Sequence, residues 1–269
     1  MDGIQKMENG RELKSKLKAG NISVGAWGTS YDSSMAVKLS RVGFDFAIID
    51  QEHTPYNVES LKHVLWMYRG SGTLPFVRVQ DNRPDLMKIS LDLGARGILV
   101  PYVGSEAEAR RAVAGCKYPP QGIRGWGPTV VTNYYMDAAE YYETANDDVF
   151  VIVQVEVASI LDELDAVAKI DGLDAMFIGP SDLSLSLGIF KQWDHQKFRS
   201  AVSKVLDTAR ENGKAVAIAV DAFGPLDQAA EWIEKNAKGV QLLCTAEDGD
   251  LIEIGGQKVL EDHLRIFGG

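Results

Sequence analysis

The chain has 269 residues, a formal net charge of −10 and 45% hydrophobic residues. Such a length suits one large domain, and a single α/β barrel commonly has about 250 residues. The negative charge repels nucleic acid and anionic membrane surfaces, and no basic run or aromatic–basic interleaving offsets it, so neither is expected as a partner.

The N-terminal stretch MDGIQKMENGRELKSKLKAG is charged and amphipathic and has no apolar core, so no signal peptide is expected. Short apolar runs then alternate with helical patterns. Strands are predicted at 22–27, 44–50, 75–80, 97–101, 149–156, 174–179, 214–220 and 239–244. They are rich in Val and Ile with little polar alternation, as in parallel strands buried on both faces. The segments between them, such as SSMAVKLSRVG and SEAEARRAVAGC, carry helical spacing, and several end near Gly. Eight βα repeats without a break in composition predict one (β/α)8 TIM barrel over residues 1–269. A doubly wound sheet would more often place a Gly-rich turn after its first strand, where this chain has TSYDSS. No apolar stretch approaches the roughly 20 residues needed to span a bilayer.

One connection is longer than the rest. It contains YPPQGIRGWGPTVVTNYYMD, whose prolines and glycines oppose regular structure. A lid, a binding loop, an interface and a simple surface excursion all fit it. Cys116 and Cys244 lie outside any CxxC or Cys/His spacing. They read as buried free thiols, which fits a cytoplasmic location.

In such barrels chemistry sits where strands end. Strands five and six each deliver an acid to that rim, Glu156 and Asp182. Two carboxylates without cysteine suit a hard divalent ion, although Asp182 and Ser181 could also just start a helix. Arg78 lies in an otherwise apolar strand and needs an anionic partner. Asp50 at the end of strand two could be that partner, and so could a substrate carboxylate gripped bidentately. His53 follows Asp50 and Glu52 in IIDQEHTP and could serve as an acid–base group near neutral pH, or stand idle in a surface loop. Trp27 ends strand one and Gln154 lies two residues before Glu156. Strands seven and eight end in less reactive residues. Lys214 opens strand seven at the wrong end for Schiff-base chemistry, and Lys88 sits in a helix. VDAFGP and CTAEDGD are poor phosphate grips, and no GxSxG elbow occurs.

Four stretches, FDFAIIDQEHTPYN, PFVRVQDNRPDLMKISLDLGARGILVPYV, YPPQGIRG, and VQVEV followed by IGPSDLSLSLG, together resemble the HpcH/HpaI family of metal-dependent class II pyruvate aldolases. The resemblance runs from about Gly25 to at least Leu187 and implies a barrel with exchanged C-terminal helices, assembled as a homohexamer. It implies that Glu156 and Asp182 bind the ion (Mg, Mn or Co). Arg78 would grip the pyruvyl oxygens, with Gln154, Gly179, Ser181 and Trp27 lining the pocket. His53, oriented by Asp92, would form an acid–base dyad. The implied reaction is reversible cleavage of a 4-hydroxy-2-keto acid to pyruvate and an aldehyde. Decarboxylation of oxaloacetate would share its enolate, and a fungal branch resembling macrophomate synthase couples that step to carbon–carbon bond formation. Val157, Tyr56, Trp126 and LLCTAEDGD depart from the commoner pattern, which bears on the aldehyde side. A barrel that has lost catalysis would have no evident need for Glu156, Asp182, Arg78 and His53 together.

Overall fold

The structure is a computed structural model and describes residues 7–268. In chain order its elements are α1 (Gly10–Lys18), β1 (Ser23–Gly28), α2 (Ser33–Val42), β2 (Phe46–Asp50), α3 (Val58–Met67), β3 (Leu74–Arg78), α4 (Pro84–Asp92), β4 (Gly97–Val100), α5 (Glu106–Cys116) and α6 (Ala138–Asp148). There follow β5 (Phe150–Val155), α7 (Leu164–Ala168), β6 (Ala175–Ile178), α8 (Pro180–Ser186), α9 (Gln196–Glu211), β7 (Ala215–Ala219), α10 (Leu226–Asn236), β8 (Leu242–Glu247) and α11 (Asp248–Phe267).

The strands are parallel and pair in sequence order, and β8 closes onto β1. This is the predicted (β/α)8 barrel. Successive side chains of a strand face opposite sides, so the apolar runs divide into two cores. Phe46, Ile48, Phe76, Phe150, Ile152 and Phe177 fill the interior, while Ala47, Ile49, Val77, Val151 and Val153 pack outward against the helices. Phe46 stacks on Phe76 and Phe76 on Phe150, each with centroids 5.5 Å apart. Two neighbouring strands make room for these rings with glycine. A Cβ on Gly25 would fall 2.2 Å from the Phe46 ring, and one on Gly97 would fall 2.6 Å from Phe76. Leu13 and Leu17 of α1 join the interior core. Several helices start at a side-chain cap, as where Asn57 and Ser60 cap α3 reciprocally.

Two strand ends differ from expectation. The last strand was predicted over 239–244 but runs Leu242–Glu247. Gly239 takes φ 107°, a turn geometry, and the polar CTAE segment continues the ladder beside β1. Glu247 therefore pairs with Trp27 at the barrel mouth instead of lying in a loop. Asp221 likewise follows directly on β7 and Val220. The last two strands, expected to end in less reactive residues, thus carry Asp221 and Glu247 at their ends. The long connection is irregular, as expected, between α5 and α6. Helix α11 buries only Asp248, whose carboxylate accepts from Thr29 and Ser30 main-chain nitrogens at 3.2 and 3.0 Å.

Candidate active site

The C-terminal ends of β2, β3, β5 and β6 bring Asp50, Arg78, Glu156 and Asp182 to one rim. Asp50 and Arg78 are register partners across β2 and β3. Arg78 donates from Nε and Nη2 to the two oxygens of Asp50, at 2.8 Å each. Its guanidinium lies over Trp27, 4.5 Å from the ring centroid, and Trp27 packs edge-on against Phe177 at 5.7 Å. Arg78 is 8% exposed. A buried cation of this kind requires its anion, and Asp50 is that structural partner. The pairing leaves the Nη1 edge unengaged by any described residue.

Glu156 directly follows β5, two residues beyond Gln154 and on the same face of the strand. One of its oxygens accepts from the main-chain nitrogen of Tyr102 at 2.6 Å, and the other accepts from the Gln154 amide. Tyr102 has φ 53°, a left-handed conformation uncommon for a side chain of its size. Burial pushes Glu156 up to about 7, and the neighbouring Glu52 and Asp182 charges add to the rise, against the Tyr102 hydrogen bond. Asp182 stands in the first turn of α8, with Ser181 before it. Asp182 has no salt bridge to any described residue. Gly179 precedes α8, and a Cβ there would lie 2.9 Å from the Gln154 amide nitrogen and 3.1 Å from a Glu156 oxygen. The missing side chain leaves space beside the carboxylate.

Glu52 reaches the same site. One of its oxygens is 3.2 Å from Arg78 Nε and 3.7 Å from His53 Nε2. Burial, the first cause, lifts it to about 7, with Asp50 and Asp182 raising it further and Arg78 opposing. On the β7–β8 side, burial raises Asp221 against the hydrogen bonds that lower it, and burial followed by neighbouring acids raises Glu247. The mouth thus gathers acids around the one guanidinium of Arg78.

The structure does not bring His53 and Asp92 together. The His53 side chain is 57% exposed, and the only carboxylate near its ring nitrogens among the described residues is Glu52. Asp92 ends α4 and accepts from Arg124 Nη2 at 2.6 Å; Arg124 also donates to the Tyr141 hydroxyl at 3.0 Å. The Arg124 guanidinium lies 4.4 Å from the Tyr118 ring centroid. Asp92 thereby anchors the long loop, whose Val131 nitrogen also donates to the Asp92 carbonyl at 3.1 Å. Lys214 sits at the opposite end of the barrel, where its amine donates to the Ile170 and Leu173 carbonyls at 3.0 and 2.9 Å. A Schiff-base role at the rim is closed to it.

A closed parallel barrel carrying its polar cluster at the strand C-termini is an enzyme scaffold, and the comparisons with known proteins make it that of a lyase. Residues 23–246 match the profile described as HpcH/HpaI aldolase/citrate lyase, and the chain belongs to that family. It is 32% identical to a 5-keto-4-deoxy-D-glucarate aldolase of Escherichia coli O6:H1 over 250 residues, 93% of this chain and 95% of that protein. It superposes on an HpcH/HpaI aldolase/citrate lyase family protein from Burkholderia cenocepacia J2315 with TM-score 0.84 and 30% identity, covering 94% and 98% of the two chains. Macrophomate synthase shares the fold, with TM-score 0.79 at 22% identity, covering 97% of this chain and 92% of that one.

Proposed function

We propose that the chain is a divalent-metal-dependent aldolase that reversibly cleaves a 4-hydroxy-2-keto acid to pyruvate and an aldehyde, with Glu156 and Asp182 as the protein ligands of the ion. The observation that carries this is the acidic rim, where buried Glu156 and half-buried Asp182 from successive strand ends share the barrel mouth with a guanidinium whose free edge meets no partner among the described residues. The donor set fits a hard ion. It is all oxygen, it includes a glycine-made space beside Glu156, and the crowding of acids favours added positive charge. Mg²⁺, Mn²⁺ and Co²⁺ are the ions to test. When bound, the ion supplies positive charge to the keto-acid oxygens as negative charge develops there.

The chain's own residues do the rest. Arg78, held rigid by Asp50, offers its free Nη1 edge to the pyruvyl carboxylate or keto oxygen. Trp27 walls the pocket, and Gln154 has a buried amide oxygen with no partner among the described residues, available to a substrate donor. Gly179 and Ser181 border the pyruvyl end. His53, open to solvent, is the acid–base group for the 4-hydroxyl. Arg124 occupies one Asp92 oxygen, so a partnership with His53 would fall to the other. Oxaloacetate decarboxylation passes through the same pyruvate enolate and is expected as an accompanying activity. The relatives' name suggests a keto sugar acid as the kind of substrate.

Residues 1–269 act as one catalytic domain in this reading, in a homo-oligomer, with a hexamer as the expected state. The exposed Ile252, Ile254, Val259, Leu260, Leu264 and Phe267 of α11 support an exchanged-helix contact between copies. Both cysteines are buried and free, which fits the cytoplasm. No helix among the described residues is long and apolar enough to cross a membrane.

The test is pyruvate release from oxaloacetate and from 4-hydroxy-2-keto acids by EDTA-stripped protein, with each ion restored in turn. Turnover that requires added ion and is lost in Glu156→Gln supports the proposal. Metal-independent turnover, or full activity in Glu156→Gln, overturns it.

A further inference from the structure

Glu52 is an acid of the rim whose environment the Arg78–Asp50 ion pair does not explain. Its side chain is 7% exposed, and both carboxylate oxygens are buried without a hydrogen-bond partner among the described residues. Buried polar groups are normally satisfied, and a carboxylate left without a donor is costly. Arg78 stands 3.2 Å away, but that Nε–H is already donated to Asp50 at 2.8 Å. Arg78 therefore gives Glu52 charge without a hydrogen bond. The main chain is fixed as well, because the Glu52 nitrogen donates to Asp50 at 3.0 Å. Asp50 thus sets both the guanidinium and the loop that carries Glu52.

Glu52 shares the strand-end rim with the two proposed ligands, two residues beyond the end of β2 and 3.2 Å from Arg78. The field of Asp182 reaches Glu52, and the fields of both reach Glu156. Yet among the described residues no three acidic, histidine or cysteine groups close into a metal-binding set. Glu52 is thus on the same rim as the pair without forming a three-acid ligand set with it. Water is the species that links such groups, since it donates to the carboxylate while its oxygen faces the cation.

We propose that Glu52 is a positioning residue that accepts hydrogen bonds from water in the coordination shell of the ion held by Glu156 and Asp182. The inference rests on the metal-binding reading above. It accounts for two unpartnered buried oxygens with one group. It also assigns the three acids distinct tasks: two bind the ion, and the third orients the water that remains on it. Outer partners of this kind are typically worth about 10–100-fold in metal affinity.

The experiment is titration of metal-free, full-length protein with Mn²⁺ alone, followed by calorimetry and by the water-proton relaxation of the bound ion. Wild type, Glu52→Gln, Glu52→Asp and Glu156→Gln are compared, with the unfolding temperature of each recorded without metal. The expected result is a Kd about 10–100-fold weaker in E52Q and altered water relaxation, with the metal-free unfolding temperature unchanged or raised. E52D keeps the charge opposite Arg78 but withdraws it by one methylene, and its Kd is expected between those of wild type and E52Q. Wild-type affinity and relaxation in both Glu52 variants would overturn the proposal and leave Glu52 as a second counter-ion of Arg78. If E52Q does not fold, the E52D comparison decides alone. Binding in wild type that is lost in E156Q keeps the metal reading intact whichever way Glu52 behaves. No binding by wild type at all overturns both.

Discussion

The two ends of the barrel treat charge in opposite ways. At the N-terminal end, two clefts of about 590 and 800 Å³ are lined by Arg11, Lys14, Lys18, Lys117, Lys214 and Lys238. That end looks inviting to an anion, but its buried amines are already engaged. Lys14 donates to the Asp147 and Val149 carbonyls at 2.9 Å each, and Lys214 to Ile170 and Leu173. Lys117 donates to the Asn146 carbonyl. At the C-terminal end the charges are acidic, and buried oxygens of Glu52, Gln154 and Asp221 lack partners among the described residues. Polar groups satisfied by main chain hold a fold together. Polar groups left open in a rigid frame are what a ligand completes.

The sharpest break of that contrast is Arg78→Ala. It removes the rim's central cation and leaves Asp50 and Glu52 unpaired. Steady-state kinetics should show kcat/KM falling by on the order of 10³-fold for both aldol cleavage and oxaloacetate decarboxylation. Thermal unfolding should also shift downward, because a buried pair has lost one member. Retained activity with lost stability would make Arg78 a purely structural cation, like the amines at the other end.

Arg124 tests whether Asp92 belongs to the site or to the frame. The Arg124 side chain is 1% exposed and is the ion-pair partner of Asp92. Arg124→Met should cost about 3–5 kcal/mol in denaturant unfolding, since it strands a buried carboxylate. Asp92→Asn refines the question. Reduced stability with an unchanged pH profile of cleavage confines Asp92 to anchoring the loop, whereas a displaced profile puts it in the service of His53.

The Asp92 contact shows what a sequence can and cannot carry. The barrel was legible because Val- and Ile-rich runs buried on both faces have few other homes. The place of Glu156, Asp182 and Arg78 at one rim was legible because each follows or ends an apolar strand run. The Arg124–Asp92 link was not, since it joins a helix end to an irregular loop 32 residues away, and no periodicity records it. Nor was the Tyr102 contact, because every residue has a main-chain N–H and the φ of 53° that aims this one leaves no mark on composition. The end of β8 was missed because Gly239 and Val240 read as strand while the polar CTAE segment read as turn.

Lys117 sharpens the comparison from the basic end. It is 3% exposed, and burial, followed by repulsion from Lys14, lowers its amine from 10.5 to about 8. Between pH 8 and 10.5 the unfolded chain keeps a proton that the folded chain has released. Stability from this group therefore rises as pH climbs through that window, and its full cost is present below pH 8. Relative to Lys117→Met, which has no such group, wild type should gain at most about 3 kcal/mol across the window, read by denaturant unfolding at each pH. A flat difference would mean that the Asn146 carbonyl and nearby acids hold the amine charged at little cost.

The smallest expected effect on the fold tests the acidic end most selectively. Gly179 has φ −90° and ψ 93°, a conformation open to alanine, so Gly179→Ala adds no backbone strain. The new methyl would instead press on the Gln154 amide and a Glu156 oxygen, both buried and hydrogen-bonded to each other. Overpacking of this kind costs about 1–3 kcal/mol where neighbours cannot move. Here the neighbours are the site itself, so displacing Glu156 should relieve the clash at the expense of function. The expected outcome is a small fall in unfolding temperature with a disproportionate loss of metal affinity and turnover. A variant that loses stability but binds Mn²⁺ as wild type would show that the space beside Glu156 serves packing and is not part of the ion's cradle.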